Sequence, residues 1–195
     1  MVERIYPVGI QTFSDIIKRG CVYVDKTDLI YKLTKKYKYV FLSRPRRFGK
    51  SLLSTTLHSY FAGEKDLFKG LAIEGLEKDW TEYPVLHFDM STFKNCNLKD
   101  LQSKFNYKLS EYESIWGNNP ESETPGDRFK NFIISAKEQT GKPVIIIIDE
   151  YDAPLLDVLH NEDRLSEIRT VIQEFYAPIK ANDEYIRFAF ITGIT

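Results

Sequence analysis

The chain has 195 residues, 43% hydrophobic and 28% charged, and its 27 Lys+Arg against 28 Asp+Glu leave a net charge of -1. A chain of this length forms one domain that buries on the order of 70% of the surface exposed when unfolded, without covalent help. The near-neutral balance argues against a nucleic-acid-binding module, which needs a basic face, and no run reaches the ~18 apolar residues of a membrane span.

Residues 12–19 read as a short helix closed by Gly20, residues 22–24 as a brief strand, and the stretch after it as a helix capped by Thr27 with Asp28 in its first turn. Residues 1–36 thus form an entry segment packed on a core of residues 37–195. The apolar run Tyr39-Val40-Phe41-Leu42 is a strand, and a helix follows over Lys50–Phe61. A loop-rich stretch leads through Trp80 to a strand at residues 84–89, where His87 lacks the partners of a ligand and reads as packed. Residues 97–116 and 127–140 carry apolar stripes, separated by a polar, turn-rich loop. Val144-Ile145-Ile146-Ile147-Ile148 shows no alternation, as expected of a parallel strand buried on both faces. Helical patterns at residues 153–160 and 163–180 precede a last apolar strand at residues 185–190. The order is that of βα units around a mainly parallel sheet, an α/β three-layer αβα sandwich. Cys21 and Cys96 have neither disulfide-framework nor zinc spacing and read as small buried hydrophobes in a reducing compartment. With no apolar h-region after Met1-Val2-Glu3-Arg4-Ile5, the expected location is cytoplasmic.

Between the first strand and its helix lies Arg44-Pro45-Arg46-Arg47-Phe48-Gly49-Lys50-Ser51, a partial phosphate-binding loop. Gly49 lets the backbone wrap an anion, Lys50 reaches terminal phosphates, and the Ser51 hydroxyl suits Mg²⁺. Phosphate would lie over the helix start, where unpaired N–H groups and the dipole favour negative charge. The cofactor-binding set is therefore Arg44, Pro45, Arg46, Arg47, Phe48, Gly49, Lys50, Ser51 and Leu52. The loop pattern places a glycine where this chain has Arg44, which prefers a negative φ, so the loop entrance should differ from the standard one.

Asp149-Glu150, closing the isoleucine run, reads as the end of a Walker B strand: Asp149 holds Mg²⁺ with Ser51, and Glu150 activates the water that attacks the γ-phosphate. Lys50, Glu150 and Thr192 form the candidate catalytic set. Thr192 ends the last strand and is read either as a γ-phosphate sensor or as a polar residue opening a turn before Gly193.

Four blocks carry a family resemblance: Tyr6-Pro7-Val8-Gly9-Ile10, Tyr23-Val24-Asp25-Lys26-Thr27, the arginine-rich loop from Ser43 to Ser51, and Ile148-Asp149-Glu150-Tyr151-Asp152. They are similar to the bacterial AAA-ATPase-like family, relatives of the STAND-type P-loop ATPases. The resemblance implies an AAA/STAND-like P-loop NTPase fold, in which an unusual first loop position is typical. It also implies that members continue into a further strand, a helical lid and often a restriction-endonuclease-like nuclease domain, so this chain would be C-terminally truncated. The strand bearing the loop would then have an open edge, covered by residues 22–24 or used for homo-oligomerisation or aggregation. In related ATPases the segment before the loop strand contacts the base, so Tyr23 or Asp25 lies near adenine or else serves ordinary capping and packing.

Arg44, Arg46 and Arg47 can meet phosphates of a nucleotide, of nucleic acid, or acidic neighbours; near-neutral charge favours nucleotide, and nucleic acid is a partner only for a longer parent chain. No Asn-Lys-x-Asp guanine signature is present, which points to ATP/ADP. Two functions remain: Mg-dependent ATP hydrolysis, or a nucleotide-dependent conformational switch with little or no hydrolysis. Efficient turnover in such enzymes often draws on an extra arginine worth ~10³–10⁵ in rate.

Overall fold

The computed structural model describes residues 5–94, 96–156 and 158–194. Met1–Arg4 of the predicted entry segment, Asp157 of the helix predicted at residues 153–160, and Thr195 lie outside the described residues. In chain order the elements are α1 (Phe13–Lys18), α2 (Thr27–Lys36), β1 (Tyr39–Ser43), α3 (Lys50–Phe61), β2 (Val85–Asp89), α4 (Leu98–Trp116), α5 (Pro125–Thr140), β3 (Val144–Asp149), α6 (Ala153–Leu156), α7 (Glu162–Ala181) and β4 (Ile186–Gly193).

The isoleucine run decides the architecture. Val144 to Ile148 are completely buried, and alternate side chains enter different cores. Ile145 and Ile147 join Phe13, Ile30, Leu57, Phe61, Phe188 and Phe190 beneath α1, α2 and α3. Val144, Ile146 and Ile148 join Leu101, Phe105, Phe129, Phe132 and Phe175 beneath α4, α5 and α7. Each isoleucine buried this way contributes about 1.5–3 kcal/mol, so a strand between two helical layers has reason to be apolar at every position. The result is the expected three-layer α/β sandwich.

All neighbouring strands are parallel and the order is β1-β4-β3-β2. The strand leading into the arginine-rich loop is thus separated by β4 from the strand ending in Asp149, the arrangement of a P-loop-like AAA fold. Register pairs Leu42 with Thr192 and Asp89 with Asp149, which brings the carboxyl ends of all four strands to one side.

Local chemistry sets the helix ends. Asn97 and Asp100 form a reciprocal capping box at the start of α4. The α5 helix begins two residues before the predicted position, because Pro125 is tolerated where no intrahelical N–H is needed and the Thr124 hydroxyl accepts from Asp127 N at 3.1 Å. At α2, Thr27 is the first helical residue rather than the cap; Asp25 Oδ1 accepts from Thr27 N at 2.8 Å and from its hydroxyl at 2.7 Å. The helix predicted over residues 153–160 ends at Leu156.

Residues 22–24 form no strand. Val22 N donates to Ile5 O at 2.8 Å beside an isolated Ile5–Cys21 bridge, and the Tyr23 ring packs edge-on against Phe13. Val22 is thus paired with Ile5 and Tyr23 with α1, while Val24 is 73% exposed. Among the described residues β1 pairs only with β4, and Phe41 on it is 52% exposed. The opposite edge is better covered: the Tyr112 hydroxyl donates to His87 O and accepts from His87 N, both at 2.7 Å. His87 is packed as expected, its ring 5.5 Å from that of His58.

Candidate nucleotide site

Two left-handed residues shape the loop after β1: Arg47, with φ 69°, and Gly49, with φ 77°. Gly49 adopts this without a Cβ penalty, whereas Arg47 carries a cost of about 1–2 kcal/mol. Arg44 stays out of the left-handed region, as its side chain dictates, and its N–H donates to Gly193 O at 3.2 Å. The loop entrance is therefore anchored to the end of β4.

Lys50 begins α3 and is only 5% exposed. Its ammonium donates to Arg44 O at 2.9 Å and Pro45 O at 3.1 Å, which leaves one of its three N–H groups for another acceptor. These bonds hold the charge across the concave side of the loop. The α1, α2, α4, α5 and α7 helices all carry an acidic residue in the first turn, and α3 carries none. Its positive dipole end meets no carboxylate from its own first turn, a setting that favours an external anion.

The acidic side is braced by β4. Asp149 is 4% exposed, and its Oδ1 accepts from the Thr192 hydroxyl. That hydroxyl in turn accepts from Glu150 N at 3.1 Å, while Tyr151 N donates to Thr192 O at 2.8 Å. Glu150 itself is left-handed, with φ 54°, a strained conformation for a glutamate that these bonds over-determine. Its Oε2 lies 3.0 Å from Lys94 Nζ. A Cβ on Gly193 would fall 2.5 Å from the Tyr151 ring, so only glycine allows β4 to pass so close behind the acidic turn.

A cleft of about 740 Å³ joins the two halves. It is lined by Arg46, Arg47, Gly49, Lys50, Ser51, Leu52 and Glu150, facing Val8, Gly9, Ile10 and Gln11. Of the other predicted residues, Arg44 and Pro45 contribute through their carbonyls to Lys50. Asp149 and Thr192 sit buried behind Glu150. Phe48 turns away, 69% exposed, into a neighbouring apolar groove that also contains Tyr23.

Tyr23 and Asp25 therefore do not line the cleft. Asp25 has a structural duty, since its second oxygen accepts from Ala72 N at 2.7 Å, which supports its capping reading, while Tyr23 lines an apolar groove that shares Gly49 and Leu52 with the cleft. The entry segment reaches the cleft through residues 8–11 instead, fastened where Gln11 O accepts from the Thr55 hydroxyl of α3 at 3.0 Å. Sequence reasoning used Val8, Gly9 and Ile10 only within a block of family resemblance and gave these four residues no place in the site; the further signal available was the Pro7-Val8-Gly9 turn, with Gly9 at φ 75°. Lys94 was also passed over, and nothing in its local sequence marks it.

A parallel sheet in this order, with a Gly-Lys-Ser loop on one strand and Asp-Glu on the strand two places away, defines the P-loop class of nucleoside-triphosphatase folds. The chain belongs to the predicted AAA-ATPase family, whose sequence profile matches residues 7–195. It is 36% identical over 197 residues to an uncharacterized protein in the vnfD 5' region of Azotobacter chroococcum mcd 1. That alignment takes in all of this chain and 38% of the relative, so the chain spans well under half of the relative's length. No solved structure matches. Among the described residues no helix is long and apolar enough to cross a membrane.

Proposed function

We propose that the cleft binds ATP with Mg²⁺ and hydrolyses it. The observation that carries this reading is a single cleft bordered by a tethered Lys50, an acid-free helix start and the strained Glu150. The third N–H of Lys50 and the free donors of the first turn of α3 receive the β- and γ-phosphates, and Arg46 and Arg47 offset the remaining charge. The Ser51 hydroxyl and the Asp149 carboxylate, both hard oxygen donors, fit Mg²⁺. Held by these two oxygens, Mg²⁺ would supply charge to offset that developing on the phosphate oxygens. Glu150 accepts a proton from the attacking water. Thr192 acts through its two hydrogen bonds, fixing Asp149 and the turn of Glu150. Val8, Ile10 and Leu52 offer the base an apolar surface, and Gln11 offers it an amide. The proposed location is the cytoplasm, consistent with two free, buried cysteines.

One observation favours the second reading, a nucleotide-dependent switch with slow hydrolysis: the Glu150 carboxylate is engaged by Lys94. Both readings are tested by thermal unfolding and phosphate release of wild type, Lys50→Ala and Glu150→Gln with Mg-ATP, Mg-ADP and Mg-GTP. At 100 times Kd, nucleotide stabilises by about 2.7 kcal/mol, a rise of roughly 5–10 °C in Tm for a chain this size. Wild type and Glu150→Gln should show the rise and Lys50→Ala should not. Phosphate release that disappears in Glu150→Gln identifies the ATPase, and binding without release identifies the switch.

A further inference from the structure

His87 stands alone within its apolar strand, and the fold sets a second histidine against it. His58 lies in the last turn of α3 and His87 in the middle of β2, with ring centroids 5.5 Å apart and ring planes tilted by 39°. Both residues are half-buried. The two bonds that join His87 to the Tyr112 hydroxyl use its backbone and leave its imidazole uncommitted. His58 Nδ1 is buried and has no hydrogen-bond partner among the described residues, and a buried nitrogen in that condition costs free energy until something binds it. Burial lowers the proton affinity of both rings, so at neutral pH two unprotonated imidazoles, the form that ligates metals, face each other. Glu64 acts electrostatically on His58, and Asp89 and Lys108 on His87, so the fixed charge around the pair leans negative. The spacing has a chemical meaning: two imidazole nitrogens on one Zn²⁺ at about 2.0–2.1 Å, held at a tetrahedral angle, place their ring centroids about 5.2 Å apart. The observed separation is within a few tenths of an ångström of that value, so rotation of the two side chains suffices to take up an ion.

We propose that His58 and His87 form a two-imidazole site for a divalent transition cation of the Zn²⁺ class, which clips the last turn of α3 to β2. The inference is independent of the reading of the cleft as a nucleotide site. Nitrogen donors select Zn²⁺, Cu²⁺ or Ni²⁺ over the hard Mg²⁺ and Ca²⁺, so the pair does not draw on the metal proposed for the cleft. Among the described residues no group of three or more His, Cys, Asp or Glu gathers to close a site. The remaining coordination positions therefore belong to water, and the ion is held less tightly than in a closed structural centre. It would grip by its far end the helix that begins with Lys50 and Ser51.

The test is calorimetric titration of ZnCl₂ into wild type, His58→Gln, His87→Gln and His160→Gln, with MgCl₂ as the control cation and melting temperatures read with and without each salt. Wild type should bind one Zn²⁺ and, at about ten times Kd, gain roughly 3–6 °C in Tm, with no response of this kind to MgCl₂. His58→Gln and His87→Gln should each weaken Zn²⁺ binding by about tenfold or more. His160→Gln removes the remaining histidine of the chain and should bind as wild type does. Circular dichroism checks that the variants are folded, and the two substitutions fall on different elements, so either one decides the matter if the other fails to fold. No Zn²⁺ binding by folded wild type, or wild-type binding by a folded His58→Gln or His87→Gln variant, would overturn the site and leave the two rings as packing alone.

Discussion

Replacing Thr192 by valine keeps the shape of the side chain and removes one hydroxyl that is completely buried and makes two hydrogen bonds. The bond it donates goes to the Asp149 carboxylate, and bonds to charged groups are worth about 1.5–3 kcal/mol. The bond it accepts satisfies Glu150 N, and an orphaned buried N–H costs about 1–3 kcal/mol. The two share one atom and one strained turn, so they do not add fully, and a net loss of about 3 kcal/mol is expected for Thr192→Val. Thr192→Ser keeps the hydroxyl and loses one buried methyl, worth about 1 kcal/mol. Valine should therefore be less stable than serine by about 2 kcal/mol, which is roughly 4–8 °C in Tm for a domain of this size. Urea or thermal denaturation of the three proteins measures it without nucleotide. A valine variant as stable as the serine variant, or more so, would refute the brace and with it the account of how Asp149 and Glu150 are held.

Acid sensitivity should arise from the α3–β2 contact. Burial, then the neighbouring His58, push the His87 imidazole down to about 4, with Asp89 opposing weakly. Burial also lowers His58, whose Nδ1 has no hydrogen-bond partner among the described residues. A folded-state value below the unfolded one means that stability is complete above about pH 6.5 and is lost as pH falls from there toward 4. At about 1.4 kcal/mol per pH unit, His87 accounts for roughly 3 kcal/mol. Urea midpoints from pH 7.5 to 4.5 should fall steeply in wild type and less in His87→Gln, and parallel curves would count against the assignment. At the α5–α7 contact, a Cβ on Gly126 would lie 2.6 Å from Glu174 O, so Gly126→Ala should destabilise by about 1–3 kcal/mol; unchanged stability in denaturant would show that the helices part without cost.

What the sequence made legible followed from contiguity. Arg44 to Ser51 and Asp149-Glu150 each lie within one stretch of backbone, next to a strand recognisable by its apolar run, so their placement at strand ends needed no tertiary information. The same holds for Thr192, which closes an apolar strand. Lys94 reaches Glu150 because β2 registers with β3, and residues 8–11 line the cleft because Gln11 is fastened to α3; the Lys94 and Gln11 contacts depend on tertiary packing that a local pattern does not record. Asp25 was open to two readings because an aspartate before a helix looks the same whether it caps or binds; its bonds to Thr27 and Ala72 support capping. The left-handed conformation of Glu150 was hidden too, since it is imposed by Thr192 from 42 residues away and not by the residue type.

The central claim is that Lys50 and the start of α3 receive the phosphates of a nucleotide bound with Mg²⁺. Calorimetric titration of Mg-ATP into wild type and Lys50→Ala tests it most directly. The account predicts saturable one-to-one binding by wild type and at least a hundredfold weaker binding by the variant, about 2.7 kcal/mol by the factor-of-ten rule. Equal affinity in the two proteins, or no binding by a folded wild type, would contradict it.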